Sequence, residues 1–302
     1  MKHLLTFIFL VTSAGALPSL AQTTASRVIE SGGSGESKAI MLTDASLTTH
    51  TIFAPQNISK FSTEQKLPLV VWGNGACNDS PWEHVNFLNE IASHGFFVIA
   101  IGTMPTTSGE QVTERSTSAK LTQAIDWTVA QNNDKDSAYH QAIDTDNIGV
   151  AGMSCGGLQA LEVAGDSRIS TLGVFNSGIF ITPMPSPLPG MPNIDKTQLE
   201  KIHTPTLYLL GGPSDIAYEN GMHDVENINH VPVFVGNLDV GHGGTYREPH
   251  GGEFARVATA WFQWQLKDDE QAGQLFVGNP PGLSKTPKWS YKQKNFSKPQ
   301  TP

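Results

Sequence analysis

The chain has 302 residues and a net charge of −9 with no basic cluster, which excludes the electrostatic footprint of a nucleic-acid binder and argues against anionic polymers as substrates. Only two cysteines, Cys77 and Cys155, are present, so a disulfide-dense scaffold is excluded and at most one bridge is available. A hydrophobic core must therefore hold the fold.

Met1-Lys2-His3 carries positive charge, Leu4 to Leu17 is almost wholly apolar, and Ser19-Leu20-Ala21 follows as a small-x-small cleavage pattern. Residues 1–21 are thus expected to be a signal peptide, making the protein secreted, periplasmic or extracellular. The apolar stretch falls short of the roughly 20 residues of a membrane span, and no later stretch qualifies, so membrane insertion is not expected. No internal repeat is visible, and low complexity is confined to Ser31 to Ser37 and the proline-rich Pro183 to Pro192, both read as loops.

Four apolar runs, Leu67 to Trp72, Phe96 to Ile101, Asn147 to Gly152 and Thr206 to Leu210, read as strands buried on both faces, because they do not alternate with polar residues. Ser80-Pro81-Trp82-Glu83 reads as a helix start with a capping box, followed by an apolar stripe of Trp82, Val85, Leu88 and Ile91 that Gly95 ends. Leu121, Ile125 and Val129 mark a second helix, and Phe254, Val257, Ala258, Trp261 and Phe262 a last one. Strand–helix alternation predicts a mostly parallel sheet with helices on both faces. Weaker strands at Leu47 to Phe53, Thr171 to Phe175 and Val231 to Val235 bring it to about seven or eight strands. The expected organisation is one α/β domain over residues 22–278 and a Pro, Lys and Ser-rich tail over 279–302, read as a surface strap or disordered.

Gly152-Met153-Ser154-Cys155-Gly156-Gly157 follows a buried strand and leads into a helix beginning near Leu158, the setting of a nucleophile elbow with Ser154 at its tip. A serine hydroxyl is weakly nucleophilic and needs a base, itself oriented by an acid, from loops beyond the carboxyl ends of later strands. Asp215, in the loop after Leu207 to Leu210, is the expected acid, and His242, between glycines after Val233 to Val235, the expected base. Asp239 is the rival acid and His250 the second choice among ten histidines, while His94 and His203 read as a helix end and a strand start. Acyl transfer also needs two backbone N–H donors for an oxyanion. Cys155 is expected to supply one and Ala76, in the glycine-bearing loop Gly73 to Cys77, the other. That placement sets both cysteines beside the oxyanion site, making a Cys77–Cys155 disulfide possible, with two buried thiols as the alternative.

The segment Ile91-Ala92-Ser93-His94-Gly95-Phe96-Phe97-Val98-Ile99-Ala100, the Gly-x-Ser-x-Gly-Gly elbow, and Pro205-Thr206-Leu207 with Asp215-Ile216-Ala217 together resemble bacterial cutinase-like polyester hydrolases and the dienelactone-hydrolase and chlorophyllase-like group. The likeness covers most of residues 65 to 267. Trp72 to Cys77, Ser154 to Gly157 and Gly241 to Tyr246 are most similar to a branch of uncharacterised secreted hydrolases of fungi and bacteria. The resemblance implies an α/β-hydrolase fold, carboxyl-ester hydrolysis and the Ser154, His242 and Asp215 assignment. The sequence departs from cutinase-like enzymes at three places, with Ala76 or Cys77 where they carry an oxyanion-loop aromatic, Cys155 where they carry Met, and Asn176-Ser177-Gly178 where they place an aromatic clamp. These departures set the expectation at ester hydrolysis rather than at polyester or cutin cleavage specifically.

The functional expectation is a cofactor-free serine esterase acting on small or polymeric esters. No large lid fits between the elbow and the Asp215 strand, and Trp72, Trp82, Phe180 and Tyr246 could line the site. A secreted serine peptidase or amidase, or a non-catalytic binding module of the same fold, stays open. Metal binding is not expected, because no His-x-x-x-His or carboxylate cluster has ligand spacing.

Overall fold

In the computed structural model, residues 25–296 are described except 30–32, 63, 106–113 and 185, so the expected signal peptide at 1–21 lies outside the described residues. The strands, in chain order, are β1 (Ser26–Val28), β2 (Ala39–Leu42), β3 (His50–Pro55), β4 (Leu67–Gly73), β5 (Phe97–Ile101), β6 (Ile143–Met153), β7 (Ile169–Phe175), β8 (Thr206–Leu210), β9 (Val233–Leu238) and β10 (Trp289–Lys294). The α-helices are α1 (Val85–Ser93), α2 (Ala119–Asn133), α3 (Cys155–Glu162), α4 (Tyr218–Asn227), α5 (Gly252–Lys267) and α6 (Glu270–Gly273).

The ten strands among the described residues form one sheet in the order β1-β2-β3-β5-β4-β6-β7-β8-β9-β10. From β5 to β9 the pairings are parallel, whereas β1, β2, β3 and β10 are antiparallel additions at the two edges. The apolar runs do form the central strands, and every residue of β4, β5 and β8 is buried. Along β4, successive side chains enter opposite cores, as a two-residue period requires. Leu67, Leu69 and Val71 join the layer under α2, α3 and α4, while Val70 and Trp72 join the aromatic-rich layer under α1 and α5.

The structure departs from the sequence expectation at both edges and at one helix start. The sheet has ten strands rather than seven or eight, because short β1 and β2 and polar β10 lack long apolar runs. The stretch after Gly278, expected as a tail, contributes β10, paired along β9 from Trp289 opposite Leu238 to Lys294 opposite Val233. Helix α1 begins at Val85, after a 3₁₀ turn at Trp82–His84, and Glu83 pairs with Arg247 instead of closing a capping box.

Among the described residues, no helix is long and apolar enough to cross a membrane. The fold thus sets the carboxyl ends of β4, β6, β7, β8 and β9 side by side along one rim of the sheet, where open parallel sheets place their ligands.

Candidate active site

The sharpest local feature of the rim is the turn from β6 into α3. Ser154 has φ 55° and ψ −117°, a left-handed conformation costly for a residue with a side chain. Its N–H bonds the Phe175 carbonyl at 2.9 Å, and its own carbonyl accepts from Gly157 and Leu158, so the strain is held from both sides. Glycine is required around it: a Cβ on Gly156 would lie 2.0 Å from the Gly73 carbonyl oxygen, and one on Gly152 would lie 2.3 Å from Gly156. The result projects the Ser154 hydroxyl from the rim above the N-terminus of α3, where aligned peptide dipoles favour negative charge.

Two later loops meet it. Gly211 and Gly212 turn the chain after β8, and Gly212, at φ 78°, admits the bend that buries Asp215. After β9, Gly241, at φ 72°, brings His242 inward with 28% of its side chain exposed. His242 Nδ1 lies 2.6 Å from Asp215 Oδ1, and its Nε2 lies 3.0 Å from Ser154 Oγ. An ionised carboxylate only accepts, so Nδ1 carries the ring proton and Nε2 is left to accept from the serine hydroxyl.

The Asp215 carboxylate is saturated. Besides His242, it accepts from the backbone N–H of Gly211 at 3.0 Å and of Ala217 at 2.9 Å, and from Asn176 Nδ2 at 2.8 Å. Burial alone would push this carboxyl up, but the hydrogen bonds from His242, Ala217, Gly211 and Asn176 outweigh it and hold the carboxyl below the usual aspartate range. The acid is therefore ionised at neutral pH.

The loop after β4 forms a 3₁₀ turn at Gly75–Cys77 in which Ala76 and Cys77 both have positive φ, at 51° and 53°. Two consecutive non-glycine residues in that region persist only when their surroundings over-determine them. Cys77 is bonded to Cys155 in a disulfide with Cα atoms 5.1 Å apart, and its carbonyl accepts from Ser116 N–H at 2.8 Å and Ser116 Oγ at 3.1 Å. Asn74 clamps the loop from below by donating to the carbonyls of Asn78 and Ile101. Ala76 thereby sits one residue from the disulfide that ties its loop to the elbow.

Ser154, His242, Asp215, Ala76, Cys77 and Cys155 are thus gathered at the rim, and the rivals are elsewhere. Asp239 is exposed and accepts from Ser214 Oγ at 3.1 Å. His250 faces Glu90 at 3.5 Å, His94 contacts the same Glu90 at 3.0 Å, and His203 bonds the Asp166 carbonyl. Two of the four aromatics expected to line the site do not: Trp72 and Tyr246 are buried, packed with His84 and Phe87 in the core. Sequence reasoning missed Asn176 and Ser177. Asn176 donates to Asp215, and Ser177 Oγ donates to the Ser154 carbonyl at 2.7 Å. The available signal was an asparagine directly after a buried strand, the residue type that tolerates the φ of 43° found there.

A search of curated proteins finds no match. Residues 50–294 match the family model described as PETase, PET hydrolase-like, a span that runs from β3 through the last strand and takes in every residue of the rim. The chain therefore belongs to the PET hydrolase-like family, a family of ester-hydrolysing enzymes of the α/β-hydrolase fold.

Proposed function

We propose that the protein is a secreted serine carboxyl-ester hydrolase working through an acyl-enzyme, with Ser154 as nucleophile, His242 as general base and Asp215 as the residue that orients and stabilises the imidazole. The observation that carries this reading is the unbroken contact from Ser154 Oγ to His242 Nε2 at 3.0 Å and from His242 Nδ1 to Asp215 at 2.6 Å, made by loops after three different strands. Ser154 Oγ attacks the ester carbonyl while His242 Nε2 takes its proton, and the tetrahedral oxyanion forms beside the N–H groups of Cys155 and Ala76. Collapse breaks the ester C–O bond as His242 returns the proton to the leaving alcohol. Water then repeats the sequence on the acyl-enzyme and releases the acid.

Bulky, apolar esters, polymer chains included, suit the rim best. Of the large apolar side chains exposed among the described residues, Ile181, Met184, Leu188, Ile216 and Val240 all lie on the segments following β7, β8 and β9. Ile216, 81% exposed, adjoins Asp215, and Val240 lies two residues before His242. Export is supported by the amino-terminal pattern and by a disulfide, which persists in oxidising compartments.

The test is hydrolysis of p-nitrophenyl esters of increasing acyl length by wild type and Ser154→Ala. Loss of about 10³-fold or more in kcat is expected in the variant. Turnover within tenfold of wild type in a folded Ser154→Ala protein would remove the serine mechanism and leave the family assignment standing.

A further inference from the structure

Three rim loops converge on one fully buried side chain. Asn176 follows β7 with φ 43°, and its backbone N–H is fixed to the Leu209 carbonyl of β8 at 2.7 Å. Its Nδ2 donates to Asp215 Oδ2 at 2.8 Å and to the Gly241 carbonyl at 3.3 Å, and its Oδ1 accepts from the Tyr246 hydroxyl at 2.6 Å. One amide therefore holds the acid, the residue preceding the base, and a phenol four residues beyond that base.

The orientation of that amide is not arbitrary. If it flipped, Oδ1 would face a carboxylate and a carbonyl, neither of which can donate, so only the observed orientation satisfies all three neighbours. Given that orientation, Tyr246 must donate. Tyr246 is buried among Trp72, His84, Phe87 and Phe254, and burial, reinforced by the Asp215 charge, keeps its phenol well above its usual range and so protonated. The hydrogen bonds run in one direction, from Tyr246 to Asn176 to Asp215, and such chains strengthen their members in a low-dielectric interior.

We propose that Tyr246 and Asn176 are positioning residues, a hydrogen-bond relay anchored in the aromatic core that fixes the Asp215 carboxylate and the Gly241 carbonyl and thereby aims His242 at Ser154. The proposal rests on the triad reading above and adds to it a second set of residues that touch neither substrate nor the reacting atoms. Titratable groups facing Asn176 and Tyr246 are Asp215 from the loop after β8 and His84 from the turn before α1. The His84 ring stands 5.0 Å from the Tyr246 ring and is kept neutral by burial, its pKa lowered to about 3.

The test uses three variants assayed beside Ser154→Ala. Tyr246→Phe keeps the ring and removes only the donor; kcat is expected to fall about 10-fold to 100-fold with KM within about twofold, since a displaced catalytic group lowers turnover without weakening substrate binding. Asn176→Leu removes both donors and is expected to fall further. Asn176→Asp is the diagnostic variant, because the introduced carboxyl abuts Asp215 and two adjacent carboxyls share a proton. Protonated, it donates as the amide does; ionised, it repels Asp215. Its pH–rate profile is therefore expected to gain an alkaline limb that wild type lacks, a signature that mere loss of packing does not produce. Wild-type kcat and an unchanged pH profile in folded Tyr246→Phe and Asn176→Asp would overturn the relay while Ser154→Ala remained inactive. Activity persisting in Ser154→Ala would instead overturn the underlying triad.

Discussion

Strand β4 contains two kinds of residue, and the contrast between them organises the molecule. Leu67 to Trp72 sit wholly buried in extended backbone, with Leu67, Leu69 and Val71 in one apolar layer and Val70 and Trp72 in the other. One residue later the rules invert. Gly73 must lack a side chain because α3 presses on it, and Ala76 and Cys77 adopt positive φ under a disulfide and several hydrogen bonds. The same inversion occurs at Ser154 after β6 and Asn176 after β7. The interior is redundant and relaxed, whereas the rim is strained and each of its residues has a separate task.

The sharpest way to break this comparison is a pair of substitutions, one in each region. Gly156→Ala forces a methyl group against the Gly73 carbonyl and displaces the elbow, so kcat is expected to fall by about 100-fold or more. Leu69→Ala, in the interior of β4, is expected to cost about 2–5 kcal/mol of stability with kcat per folded molecule unchanged. Active-site titration with a fluorophosphonate, run beside urea unfolding, separates the two. Equal losses of kcat in both variants would show that interior and rim are not distinct.

The disulfide sharpens the boundary, since it belongs to the rim yet acts on the whole chain by closing a 78-residue separation. Replacing both cysteines by serine is expected to cost about 2–5 kcal/mol in unfolding free energy. Turnover should drop as well, by about tenfold, because the loop bearing Ala76 loses its tie to the elbow. Unfolding curves and kcat before and after reduction of wild type check both parts; a loss of stability with undiminished kcat would place the bridge among the interior's devices.

Acid sensitivity is a property of the interior. Burial holds His50 down at about 4 and His84 at about 3, against an ordinary value of 6.5. The unfolded chain therefore binds protons first as pH falls. The stability both residues contribute is complete above about pH 6.5 and declines as pH drops toward their folded values. The melting temperature should fall between pH 6.5 and pH 4. His84 Nδ1 is buried without a hydrogen-bond partner, so His84→Phe should flatten this slope at little cost at pH 7. An unaltered slope would assign the acid loss to other groups.

How far these regions were legible in sequence follows from the same contrast. Interior strands announce themselves through uninterrupted apolar runs, and the elbow through glycines whose spacing only a tight turn requires. Asp215 and His242 were legible because each follows a buried strand within a glycine-bearing loop. Asn176 was not, because its role depends on three loops arriving at one point, and nothing in Asn-Ser-Gly encodes their meeting. Trp72 and Tyr246 were misplaced because an aromatic residue near a motif has the same composition whether it faces solvent or core. The edges were hidden for another reason: in Trp289-Ser290-Tyr291-Lys292-Gln293-Lys294 most side chains are polar, and pairing with β9 is decided by backbone hydrogen bonds.

That last strand has a practical consequence for anyone handling the enzyme. Its first residue, Trp289, lies opposite Leu238, four residues before His242, and its indole is pinned to Glu253 at the start of α5. A proteolytic nick, a shortened clone or a bulky fusion that peels this ribbon away would uncover the hydrogen-bonding edge of β9 and invite another molecule to stack there. It would also slacken the very loop that carries the imidazole, so aggregation and inactivation would arrive together from damage at the far end of the polypeptide.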